Sequence, residues 1–150
     1  MKKYSEIKTG DVFFSTCSIS EKELDSYLDF SRVKNSFLEA RSKNSQKIVS
    51  GRAILSRMEG EFTRLSQIYG NHIVLTGMDG DPQWGNRNTR FPKSLHVNEV
   101  LKIQFTISAK KDIDDDYGSI AVDYEGTTLD GSTVVVSKRN MYRIKKILPT

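Results

Sequence analysis

At 150 residues the chain has the length of one domain with one core, and residues 1–150 are expected to form a single domain. Hydrophobic residues at 37% and charged residues at 28% suit a packed, water-soluble fold, and no apolar run approaches the roughly 20 residues of a membrane span. A net charge of +4 spread over both signs, one cysteine and no nucleic-acid motif exclude a disulfide scaffold; a cytoplasmic protein with no membrane and no nucleic-acid partner is expected.

The N-terminus, Met1-Lys2-Lys3, has no apolar stretch behind it and does not read as a signal peptide. The first predicted strand is Val12 to Cys17. Ser20 and Glu23 then have the spacing of a capping box, so a short helix follows with Leu24, Tyr27 and Leu28 on one face. From Arg32 to Lys47 the chain is polar and reads as a surface loop, with a helical turn near Leu38 to Arg41 as one option. Ile54, Leu55, Met58, Phe62, Leu65 and Tyr69 recur at three- and four-residue spacing, which predicts the long helix over Gly51 to Tyr69, capped by Ser50 and stopped by Gly70. Gly60 inside it costs about 1 kcal/mol relative to alanine, so packing against a sheet must hold this helix.

The rest reads as strands: His72 to Thr76, Thr89 to Phe91, Val100 to Ser108, Gly118 to Tyr124 and Ser132 to Ile144, with Asp130-Gly131 as a hairpin turn. Leu101, Ile103, Phe105 and Ile107 alternate onto one face. The acidic run Asp112, Asp114, Asp115, Asp116 reads as a solvated turn rather than a cation site. Lys138-Arg139 to Lys145-Lys146, around Tyr142, is either a solvated strand face or a phosphate contact. A long helix followed by a meander of antiparallel strands is an α+β layer architecture.

Three stretches carry a resemblance. They are Tyr4-Ser5-Glu6-Ile7-Lys8-Thr9-Gly10-Asp11-Val12-Phe13; Ile48-Val49-Ser50-Gly51 at the mouth of the long helix; and Arg90-Phe91-Pro92-Lys93-Ser94-Leu95 followed by Val97-Asn98-Glu99-Val100-Leu101. With the order of elements, they resemble the MaoC-like acyl-thioester dehydratases and (R)-specific enoyl-CoA hydratases. The resemblance implies a hot-dog fold, a long central helix wrapped by a curved antiparallel sheet. It implies an acyl-CoA or acyl carrier protein thioester as substrate and a dimer, either of two copies or with another hot-dog subunit. No metal or cofactor is expected.

The family's catalytic signature, Ser-Gly-Asp-x-Asn-Pro-x-His, resembles Ser31-Arg32-Val33-Lys34-Asn35-Ser36-Phe37-Leu38. Ser31 and Asn35 match. The aspartate falls on Val33 and the histidine on Leu38, and no histidine lies before His72. Hydration of an enoyl thioester needs a carboxylate and an imidazole to handle water and proton, and valine and leucine supply neither. What the resemblance leaves intact is a grip on the thioester oxygen by a backbone N–H at the helix N-terminus near Gly51. Ser50, Gly51 and Asn35 are therefore the expected substrate-binding residues, and no residue is assigned a catalytic role. For Gly51, simple helix–strand packing is the competing reading.

Elsewhere, His72 and His96 form no metal-ligand spacing and read as structural. Cys17 reads as a small core residue. Trp84 is either a cover for a pocket or subunit contact, or an anchor for its own loop. Arg32 and Lys34 are either phosphate contacts or solvated charges. Glu59 and Glu61, set beside the buried Met58 and Phe62, point sideways and outward. Three functions remain open: a non-catalytic hot-dog that binds an acyl thioester or pairs with an active subunit, an active dehydratase or hydratase, and a thioesterase using Glu59 or Glu61. Glu59 or Glu61 inside a pocket favours the last.

Overall fold

The computed structural model describes residues 1–34 and 47–148. Strand β1 spans Val12–Cys17, helix α1 Glu21–Ser31 and helix α2 Gly51–Arg64. The strands that follow are β2 (Ile73–Met78), β3 (Thr89–Arg90), β4 (Leu101–Asp112), β5 (Tyr117–Thr127) and β6 (Thr133–Lys145). The sheet is antiparallel in the order β1-β4-β5-β6-β2. β3 pairs with β6 through Thr89–Ser137 and Arg90–Val136, so the outer edge of β6 is shared between β2 and β3.

Most elements form where their residue pattern requires them. Ser20 caps α1, accepting from the N–H of Glu23 while Glu23 reaches back to Ser20. Leu24 turns into the core, with Tyr27 and Leu28 packed at its margin. α2 lays Ala53, Ile54, Met58 and Phe62 against the sheet. Leu101, Ile103, Phe105 and Ile107 of β4 all face it, each at most 2% exposed. The centre is aromatic: the Phe62 ring lies 5.3 Å from Phe105 and 5.0 Å from Tyr142, and Tyr124 stands edge-on to Phe105 at 5.4 Å. A central helix wrapped by an antiparallel sheet is the hot-dog arrangement, as expected.

The long helix is shorter than its periodicity predicts. It ends at Arg64, because Leu65 adopts an extended conformation (φ −55°, ψ 139°). That break lets Ile68 drop fully into the core, while Tyr69 turns out to 73% exposure. Gly70, at φ +103°, closes a further turn rather than the helix itself. The turn is tied to the N-terminus by Lys2 N–H to Gln67 O (2.7 Å) and Asn71 Nδ2 to Lys2 O (2.9 Å).

The N-terminal segment is sewn across the sheet. The Tyr4 hydroxyl donates to Asp112 (2.7 Å), and Lys110 Nζ donates to the carbonyls of Tyr4 and Ile7. A Cβ at Gly118 would collide with the Tyr4 ring, so β5 needs glycine there. No helix among the described residues is long and apolar enough to cross a membrane.

Candidate functional site

A cleft of about 380 Å³ opens at the mouth of α2, a volume in the range of small-ligand sites. Its walls come from three separated stretches: Val33, the run Ile48 to Gly51 with Ile54, and Phe91 to Leu95. A two-rung ladder brings the latter two together, with Val49 N–H to Leu95 O at 2.8 Å and Val97 N–H to Lys47 O at 3.0 Å. Ser50 is the N-cap of α2, its hydroxyl accepting from Ala53 N–H at 3.3 Å. The N–H groups of Gly51 and Arg52 precede the first intrahelical bonds and carry the positive end of the helix dipole.

Gly51 serves packing. A Cβ there would lie 2.7 Å from Cζ of Phe91, whose ring rests over the glycine and is 43% exposed. The contact supports the packing reading of Gly51: the missing side chain seats Phe91, and Phe91 forms a wall of the cleft.

Val33 lies in the same cleft, 44% exposed, just after Arg32 closes α1 in the left-handed conformation. The position matched to the family's aspartate is therefore assembled beside Ser50 and Gly51, and it presents an isopropyl group. Among the described lining residues only Lys93 is ionisable, and its amine bonds the Ser132 hydroxyl at 3.0 Å. Asn35 and Leu38, and the turn near Leu38 to Arg41, lie outside the described residues.

Neither histidine reaches this cleft. His96 pairs with Ile48 in an isolated bridge, but it alternates with the buried Leu95 and Val97 and turns its ring toward Glu99, at 3.6 Å. His72 follows the far end of α2, a helix of 14 residues and so about 21 Å long.

The two helix carboxylates part company. Glu61 accepts from the Ser15 hydroxyl at 3.0 Å and is tied to β1. Glu59, by contrast, lines a second cleft of about 130 Å³, with Tyr27, Arg52, Leu55, Ser56, Leu75, Met78, Tyr124 and Asn140. Expected to point sideways and outward, it is half-buried in this cleft. A third groove of about 450 Å³ lies between α1 and α2, but Arg57 and Glu23 there are ion-paired, and Arg57 also donates to Ser18 O at 2.9 Å. The Ser20 N–H, with Arg57 adding to it, holds the Glu23 carboxyl below its usual range.

Other candidates find structural partners. Asp114 accepts from the N–H groups of Asp116 and Tyr117, and Asp112 takes Tyr4 and Lys146, so these members of the acidic run build a turn. Asp130, bonded by Thr128 and Ser132 in the β5–β6 turn, has its carboxyl pulled down to about 2. Trp84 lies under Arg90 (3.8 Å) and Lys138 (4.5 Å) and anchors its loop. In the basic stretch, Arg139 pairs with Asp79, Arg143 covers Tyr117 and Lys146 meets Asp112, while Tyr142 is fully buried. Burial, with Glu61 adding to it, pushes the Cys17 thiol up, and Cys17 packs at the core margin.

Sequence reading missed Arg52, Tyr124 and Asn140 as parts of a cleft. The one usable signal was the register: Asn140 has the same parity in β6 as Tyr142 and Ile144, and a polar residue on a buried face needs a reason.

No protein-family model matches the sequence, and no curated protein matches it significantly. Solved structures do. The monoamine oxidase regulatory protein from Archaeoglobus fulgius superposes with a TM-score of 0.75 at 16% identity, over 97% of this chain and 95% of that one. The R-hydratase PhaJ1 from Pseudomonas aeruginosa gives 0.68 at 16% identity, over 99% and 92%. The C-terminally truncated HadBC (3R-hydroxyacyl-ACP dehydratase) complex from Mycobacterium tuberculosis gives 0.65 at 9%, over 91% and 95%. The chain is similar to all three in fold.

Proposed function

We propose that this chain is a MaoC-like hot-dog domain that binds an acyl thioester, of coenzyme A or of an acyl carrier protein, at the mouth of α2, and that on its own it does not hydrate an enoyl thioester. One observation carries this reading: the cleft that joins Ser50 and Gly51 also holds Val33 where the resemblance calls for the catalytic aspartate. The helix N-terminus supplies N–H donors and a positive dipole for the thioester oxygen. Apolar Val33, Ile48, Ile54 and Phe91 suit an acyl chain, and Lys93 at the rim suits an anionic carrier. Valine at 33 can neither take nor give a proton, so the grip remains without the chemistry.

The fitting role is that of a hot-dog subunit that completes a dimer, with a second copy or with a catalytically complete partner. HadBC, a fold neighbour, is itself a complex. The edges of the sheet at β1 and β2 are places where a second subunit can add strands.

A second reading is favoured by the Glu59 cleft. A carboxylate on the central helix can activate water against a thioester carbonyl, which gives a hydrolase rather than a hydratase.

Purified protein mixed with crotonyl-coenzyme A, followed for loss of enoyl absorbance and for release of thiol, separates these readings. We expect neither signal, together with saturable binding of a non-hydrolysable acyl-coenzyme A analogue by calorimetry. Hydration above background would overturn the non-catalytic reading and restore a dehydratase. Thiol release without hydration would move the function to Glu59.

A further inference from the structure

The cleft beside Glu59 contains a hydrogen-bond donor that no described residue uses. Tyr124 on β5 is 2% exposed and Tyr142 on β6 is fully buried, and their hydroxyls bond to each other. Two hydroxyls carry two hydrogens, and the mutual bond takes one. Among the described residues neither hydroxyl has a further partner. Burial pushes both phenols up, and the Glu59 carboxylate adds to it in each, so both keep their hydrogens through the neutral range. Tyr124, unlike Tyr142, is among the residues that line the cleft, and either hydroxyl can be the donor in their mutual bond, so with Tyr142 donating, Tyr124 is free to offer its hydrogen to an occupant. A desolvated donor without an acceptor is costly and is found where a ligand or water completes it.

The surrounding backbone is shaped around this place. β6 sets Lys138 and Arg139 opposite Asp123 alone, between the pairs Val122–Asn140 and Tyr124–Ser137. Arg139 takes the left-handed φ of 59°, a strained conformation for a long side chain. Asn140 faces inward in register with Tyr142, the bulge brings Ser137 onto the same buried face, and the Asn140 amide is fixed by the carbonyls of Val122 (3.1 Å) and Ser137 (3.2 Å). Neighbouring β2 slips register between Leu75 and Gly77 in its pairing with β6. Bulges on adjoining strands re-aim side chains, and they gather at binding sites.

We propose that this cleft binds a small neutral amide-bearing group, whose carbonyl oxygen accepts from the Tyr124 hydroxyl and whose N–H donates to Glu59. The two partners stand on opposite walls, one on α2 and one on the sheet, which suits a head with donor and acceptor on different atoms. Glu59 repels a carboxylate at this end of the cleft, and Arg52, the other charged lining residue, is exposed and stands seven residues along α2 from it, about 10 Å by the helix rise. An ammonium group leaves the Tyr124 hydrogen unmatched. Leu55, Leu75 and Met78 offer an apolar wall for a short stem, and about 130 Å³ is room for roughly four waters or a head of a few heavy atoms. The site stands independently of the thioester reading, because binding is measured without turnover.

The test is a titration of the protein, labelled at methionine methyls, with propionamide, read by NMR at Met78. A saturable shift in the millimolar range is expected. Propionate, of the same size, is expected to give none. Tyr124→Phe removes the donor and keeps the ring, while Glu59→Gln keeps the shape and loses the charge. Each is expected to weaken propionamide at least tenfold, with the remaining methyl signals showing that the fold persists. Absence of a saturable shift, equal response to propionate, or unchanged affinity in both variants would overturn the proposal.

Discussion

In the proposed reading, single residues at the mouth of α2 decide between gripping a ligand and transforming it. Val33 occupies a position where an ionisable side chain would face the helix N-terminus, and its methyl groups leave that face unreactive. Gly51 is the more sensitive position. Gly51→Ala places a Cβ against the end of the Phe91 ring, which is partly exposed and free to swing. The helix gains from alanine what the displaced ring loses, so the melting temperature should move by only a few degrees. The cost falls on the cleft: acyl-thioester affinity, measured by calorimetry, should drop about tenfold. Combining Gly51→Ala with Phe91→Ala should recover part of it if the ring is the cause. Sequence spacing pointed to Ser50 and Gly51 but not to this contact, because forty residues separate Gly51 from Phe91 and only the finished ladder at Leu95 brings them together.

At the level of elements, local signals were strong where the chain talks to its neighbours in sequence. Val12–Cys17, the Ser20 cap and the Asp130-Gly131 turn stand where they were expected. The end of α2 was not legible, because the periodic pattern continues through Leu65 while tertiary packing of Ile68 overrides it. Gly60 was read as a cost that packing must offset, and its surroundings explain how the helix bears it. A Cβ there would meet nothing within 4 Å, so no neighbour requires glycine. Gly60→Ala should therefore raise stability by about 0.5–1 kcal/mol in urea unfolding, with an unchanged m value. A destabilised variant would mean that this side of α2 is covered by another subunit.

Over the whole molecule, the order of elements carried the fold, and the distant pairings did not show in the sequence. Nothing in the pattern says that β6 shares one edge between β2 and β3, nor that register shifts fall beside Leu75, Tyr124 and Asn140, which line the Glu59 cleft. The N-terminal segment is another such pairing, and pH reports on it. Burial, with the bond to Asp112 adding to it, pushes the Tyr4 phenol up from 10.0 to about 12. The folded state thus favours the protonated phenol. Its contribution is complete below pH 10 and is lost as pH rises through about 12. Tyr124 and Tyr142 shift the same way, so the informative quantity is a difference. Unfolding free energy should fall between pH 10 and 12 more steeply in the native sequence than in Tyr4→Phe, and parallel curves would show that Tyr4 does not anchor the strap.

The strand order also dictates what the chain exposes while it is being synthesised. β1 must wait for β4, since Cys17 pairs with Leu101, whereas β4, β5 and β6 follow one another through short turns. Helix α2 is finished at Arg64, yet the last strand that buries its apolar face ends at Lys145, about 80 residues later. At roughly 5–20 residues per second, Ile54, Met58 and Phe62 stay uncovered for about 4–16 seconds on each ribosome. The strands β4 to β6 thus govern whether α2 survives synthesis, and any stall among them leaves a sticky helix in reach of chaperones and proteases.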